Sequence, residues 1–125
     1  MKNEILLVTI AFSALFSLAD EKKLNCDNPN SSYESLACVN LKHDSTDKQL
    51  NIVYKKTKAV MSKTQVKLLL AAQKGWIQLR DNQCSLEIFA DQGTGRNERY
   101  IECLTELTKL RIKQLELTPT DSTHE

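Results

Sequence analysis

Four cysteines, Cys26, Cys38, Cys84 and Cys103, constrain the fold of this chain more than any other feature. An even number of cysteines in a short chain points to a disulfide framework and an oxidising compartment. The gaps between them, 12, 46 and 19 positions, contain no close C-x-x-C pair of the kind that holds zinc. Two disulfides are therefore expected, and no metal. Of the possible connectivities, helix geometry favours one. Cys84 and Cys103 are equidistant from position 93.5, inside the segment Asp91-Gln92-Gly93-Thr94-Gly95-Arg96, which reads as a turn between two helices. Residues equidistant from the turn of an antiparallel hairpin face each other, which pairs Cys84 with Cys103 and leaves Cys26 for Cys38.

The cysteines all follow a leader. Residues Met1 to Ala19 read as a secretory signal peptide: Lys2 supplies the positive start, Ile5 to Leu18 is apolar apart from Thr9, Ser13 and Ser17, and Ser17-Leu18-Ala19 places small residues for cleavage. The apolar run is shorter than the ~20 residues of a spanning helix, so no membrane span is expected after cleavage. Lys23-Leu24-Asn25 ahead of Cys26 lacks the small residues of a lipid-attachment box. The expected organisation is a signal peptide over 1–19, one domain over 20–117, and a loose Thr- and Ser-rich tail over 118–125 behind Pro119. The net charge of +1 points to neither nucleic acid nor an anionic surface as partner. Aromatic residues make up only 6% of the chain and glycines number three, which argues for helices over a β-sandwich.

Caps and apolar periods divide the domain into four helical stretches. Ser31-Ser32-Tyr33-Glu34 is a capping-box pattern that opens a short helix with Tyr33, Leu36, Ala37 and Leu41 on one face. A second helix is expected from Asp44 and Ser45, with Leu50, Val53, Tyr54, Thr57, Val60 and Met61 as its stripe. Ser62-Lys63-Thr64-Gln65 is another capping box, and Met61 with Val66 forms a hydrophobic staple across it. The third helix runs to about Ala90 with Leu69, Leu70, Gln73, Trp76, Ile77, Arg80, Cys84 and Ile88 on a broad stripe. Gly75 inside that helix suggests a close-packed neighbour, since glycine costs ~1 kcal/mol against alanine there. Tyr100, Cys103, Leu104, Leu107, Leu110, Ile112 and Leu115 mark a fourth helix that ends near Leu117. The expected fold is all-α: a small antiparallel bundle of three long helices and a short N-terminal one, held by two disulfides.

Polar residues share the inner stripes. Counting across the turns places Trp76 opposite Arg111, Asp47 near Arg80, and Tyr54 near Gln73. With Asn51, these residues are expected to form a structural polar network, because half-buried polar groups must find partners. The competing reading is a binding groove. Catalysis finds no support: neither His43 nor His124 has a nucleophile placed beside it, and Glu102 with Glu106 is an ordinary i, i+4 surface pair. The chain is read as a non-enzyme without cofactor. Gly93, Thr94, Gly95, Arg96 and Asn97, tethered near a disulfide, form a candidate partner-binding loop, with an ordinary interhelical turn as the alternative.

Taken together, Cys26, Cys38, Asp47-x-x-Leu50-Asn51-x-x-Tyr54, Ala72-Gln73-x-x-Trp76-x-x-x-Arg80-Asp81-x-x-Cys84 and Cys103-x-x-x-x-Thr108-x-x-Arg111-x-x-x-Leu115 resemble the LprI-like lysozyme-inhibitor family of small exported bacterial proteins. The resemblance implies a helical, disulfide-bonded, periplasmic or secreted protein that binds lysozyme or another envelope protein. Two departures stand out: the lipid box of the named lipoprotein member is absent, and Gly93-Thr94-Gly95 replaces the usual Gly-Gly-Ser run. The leading expectation is a protein-binding module that inhibits lysozyme at the cell envelope. A structural or accessory periplasmic protein is the alternative, and a small-ligand carrier with a cavity lined by Leu69, Trp76 and Leu107 is a third.

Overall fold

The computed structural model describes residues 24–120. The expected signal peptide and the last five residues of the expected tail lie outside the described residues. Three helices, α1 (Ser32–Ala59), α2 (Lys63–Glu87) and α3 (Arg96–Glu116), and no strand occur among the described residues.

Each helix begins and ends for a local reason. Ser31 caps α1 by accepting from the Glu34 amide at 3.2 Å, and the Glu34 carboxylate accepts from the Asn30 amide at 2.8 Å. Ser62 and Gln65 form the reciprocal capping box that opens α2, at 3.3 and 3.1 Å. The separate short N-terminal helix does not exist: the chain continues without a break through His43, Asp44 and Ser45, and α1 is one helix of 28 residues. Asp44 and Ser45 favour helix starts, but no glycine or proline lies between positions 31 and 60 to end the preceding turn. The Thr46 hydroxyl instead donates back to the Lys42 carbonyl at 2.8 Å, which satisfies the polar side chain within a continuing helix.

Packing is uneven. α1 lies along α3, α2 leans on α3, and α1 and α2 meet little beyond their connection. The core consists of Leu50, Val53, Leu69 and Leu115, with Tyr54, Met61, Trp76 and Ile112 packed around it. Buried threonines complete the α3 inner face. Thr105 and Thr108 donate to the carbonyls of Ile101 and Leu104 at 2.7 Å, so they sit in the interior with their hydroxyls satisfied. Leu110, assigned to that face from its period, is exposed instead. Leu41, Val60, Leu70, Ile77 and Tyr33 are exposed too, because a bundle in which α1 and α2 hardly touch has no second wall to cover them.

Two disulfides are present, Cys26–Cys38 and Cys84–Cys103, each with a Cα–Cα distance of 5.6 Å. The first ties the irregular segment before α1 to its second turn. The second joins the end of α2 to the first turns of α3 and is buried at Cys84. Past α3, Thr118 donates its hydroxyl to the Gln114 carbonyl at 2.8 Å, and the Pro119 carbonyl accepts from Gln65 at 3.4 Å.

Candidate functional site

Two polar features stand on this scaffold, one at the tip of the α2–α3 hairpin and one midway along it. At the tip, Ile88 ends α2 and the chain turns through Asp91, whose side chain organises the loop. One carboxylate oxygen accepts from the Gly93 amide at 2.8 Å, and the other pairs with the Arg99 guanidinium. The Arg96 amide donates to the Gly93 carbonyl at 3.2 Å, and Arg99 to the Gly95 carbonyl at 3.1 Å, which starts α3. Gly95 occupies the N-cap without a side-chain bond.

The glycines serve proximity here. Neither has a positive φ, but a Cβ on Gly93 would lie 3.1 Å from the Asp91 carboxylate, and one on Gly95 would lie 3.2 Å from the Arg99 guanidinium. Arg99 thus folds inward and closes the loop. Arg99 keeps about half of its side chain exposed; Arg96 and Asn97 are exposed too, and Arg96, unlike Arg99, has no carboxylate partner among the described residues. Behind the loop, the Cys84–Cys103 bridge and a 3.0 Å hydrogen bond from the Ser35 hydroxyl to Glu98 fix it to both neighbouring helices.

Midway along the hairpin, the Trp76 ring has two guanidinium groups within cation–π range, Arg80 at 5.0 Å and Arg111 at 5.8 Å from its centroid. Arg111 Nε donates to Gln73 Oε1 at 3.0 Å and its Nη1 to Gln114 at 3.3 Å. Burial pushes the Arg111 guanidinium below its usual pKa, a shift that Tyr54 partly opposes. Arg80, only 13% exposed, makes a two-pronged ion pair with Asp81 at 2.8 Å and reaches Thr108 at 3.4 Å. Gln73, Trp76, Arg80 and Arg111 are brought together by α2 and α3 alone.

The α1 members do not join them. Asp47 accepts from Asn51 at 3.5 Å on α1 itself and does not meet Arg80, while Gln73 is taken by Arg111 and does not pair with Tyr54, which packs into the core. Counting across the turn at 62–64 assumed that α1 and α2 face each other, and they hardly touch. Two partners were missed, Asp81 and Thr108; the i, i+1 adjacency of Arg80 and Asp81 was the available signal for one of them.

At Gly75 a Cβ would meet nothing within 4 Å, and the expected close contact is absent among the described residues. A groove of about 290 Å³ opens beside Met61, Leu68, Leu69, Ala72, Arg111 and Leu115, and it does not include the Trp76 or Leu107 walls expected of a carrier. Among the described residues no cluster of potential metal ligands occurs, and no helix is long and apolar enough to cross a membrane.

The sequence profile of the family described as lysozyme inhibitor LprI matches residues 26–115. An uncharacterized protein of Rhizobium meliloti (strain 1021) is 28% identical, covering 78% of this chain and 80% of that protein. No solved structure matches. The family match runs from the first cysteine to the last buried leucine of α3 and takes in both disulfides, the hairpin loop and the Trp76–arginine cluster, and the chain belongs to the LprI lysozyme-inhibitor family.

Proposed function

We propose that the protein is an exported inhibitor of lysozyme that acts at the bacterial cell envelope and presents the Gly93–Asn97 loop to the enzyme. The family match over residues 26–115 carries this reading. A leader over residues 1–19 and two disulfides support export into an oxidising compartment. The loop suits the task because it is held from behind by a covalent bridge, so little ordering is lost when a partner binds. Lysozyme cleaves its substrate between two carboxylates, and Arg96 and Asn97 are exposed donors that can reach into such a cleft. With a net charge of +1, the protein relies on local contacts and not on long-range steering of a basic enzyme.

A structural or accessory role is favoured by one observation: Arg80, Trp76 and Arg111 contact one another and find their polar partners within the bundle. Lysis of purified peptidoglycan by animal-type and bacteriophage-type lysozymes, with the oxidised protein titrated in, separates the two. Inhibition saturating near equimolar protein is expected, with Arg96→Ala weakening it by about tenfold, or ~1.4 kcal/mol. Absence of inhibition of either enzyme at large excess makes the accessory role the better reading. Full potency in Arg96→Ala removes that residue from the contact.

A further inference from the structure

Helix α2 carries, away from the core, an uncharged, largely apolar stripe that nothing among the described residues covers. Leu68, Leu79 and Leu86 are 66%, 66% and 69% exposed, and Ala72, Gly75 and Asn82 between them are exposed as well. Steps of four, three, four, three and four residues keep these six positions within about 40° of a single line along the helix. None is charged, although α2 also holds Lys63, Lys67, Lys74, Arg80, Asp81 and Glu87. Glycine in a helix interior weakens the helix relative to alanine, and no described residue occupies the space around Gly75.

We propose that this stripe is a homodimer interface in which two copies of α2 pack antiparallel about a two-fold axis level with position 77. The stripe is self-complementary about that point. Leu68 comes level with Leu86 of the second copy, Ala72 with Asn82, and Gly75 with Leu79, each pair occurring twice as two-fold symmetry requires. The open space at Gly75 receives the Leu79 side chain, and the groove beside Leu68 and Ala72 lies where the second copy's Leu86 arrives. Parallel packing would set glycine against glycine and leave that space empty, and it would also align the helix dipoles unfavourably. A helix pair of this length removes on the order of 1,000 Å² from water in total, the lower bound of specific interfaces, so a weak, concentration-dependent dimer is expected. The two hairpin loops then sit at opposite ends of the assembly and outside the interface.

Sedimentation velocity of the oxidised protein over about 1 μM to 1 mM tests this. A monomer–dimer equilibrium is expected. Gly75→Leu is expected to raise the dissociation constant at least tenfold while the thermal midpoint of the dilute protein stays level or rises, a combination that a folding defect does not produce. Gly75→Leu combined with Leu79→Ala is expected to restore association, because the exchanged knob and hole meet again only in the antiparallel arrangement. A protein that stays monomeric throughout overturns the proposal. So does a dimer that Gly75→Leu leaves intact, and failure of the double variant to restore association overturns the antiparallel geometry.

Discussion

The α1–α3 pair and the α2 helix are held in place by different means. Along α1 and α3, Leu50, Val53, Thr57, Leu104, Thr105, Thr108 and Leu115 are buried, and the Thr57 hydroxyl reaches the Leu115 carbonyl at 3.5 Å. Of the 25 residues of α2, only Leu69 and Cys84 are buried. α2 is instead fixed at points: the capped turn at Ser62, the Leu69 contact, the Arg111 contact with Trp76 and Gln73, and the Cys84–Cys103 bridge. A helix placed by a few strong fasteners keeps most of its surface free. Packing builds the frame here, and covalent and cationic contacts hang an arm on it.

On this division Leu115→Ala does the greatest damage, since it opens a cavity where all three helices meet; a loss of about 3 to 4 kcal/mol in urea unfolding is expected. Replacing Cys84 and Cys103 together by serine should cost ~3 kcal/mol, with a distinctive signature. In hydrogen exchange, the amides of α2 should lose protection first while those shared by α1 and α3 keep theirs. Equal loss in all three helices would mean that α2 is part of the frame. Trp76→Ala removes the surface on which both guanidinium groups rest and should cost about 2 kcal/mol by thermal unfolding. Ser62→Ala, which deletes half of the capping box, should cost only ~1 kcal/mol, a fall of about 5 °C in the midpoint.

The same contrast explains what could be read from the sequence. The α2–α3 hairpin obeys simple mirror counting, because the two helices are in contact: Cys84 and Cys103, equidistant from the turn, are bonded. The capping box at Ser62 was legible because its four residues act on one another without help from the fold. Counting failed across α1 and α2, where Asp47 and Arg80 were paired on paper, because mirror symmetry places side chains only when the two helices pack. The division of α1 at Asp44 rests on propensity alone, and with no glycine or proline between positions 31 and 60 the helix runs on through it. Thr105 and Thr108 escaped notice as core residues, since a hydroxyl that bonds its own helix backbone looks polar in sequence and behaves as a small apolar group in the interior. For the loop, the motif marked a turn, but the inward fold of Arg99 over Gly93 and Gly95 depends on an Asp91 contact eight residues away that no local pattern announces.

The order of the two bridges has a bearing on how the chain matures. Each cysteine is joined to the next one along the chain, Cys26 to Cys38 and Cys84 to Cys103, so the two covalent loops neither overlap nor nest. A polypeptide that is threaded N-terminus first into an oxidising space meets each correct partner before any later cysteine arrives. Oxidation of thiols that emerge in that order would yield the native pattern in a single pass, and a thiol oxidant would suffice where crossed bridges call for an isomerase.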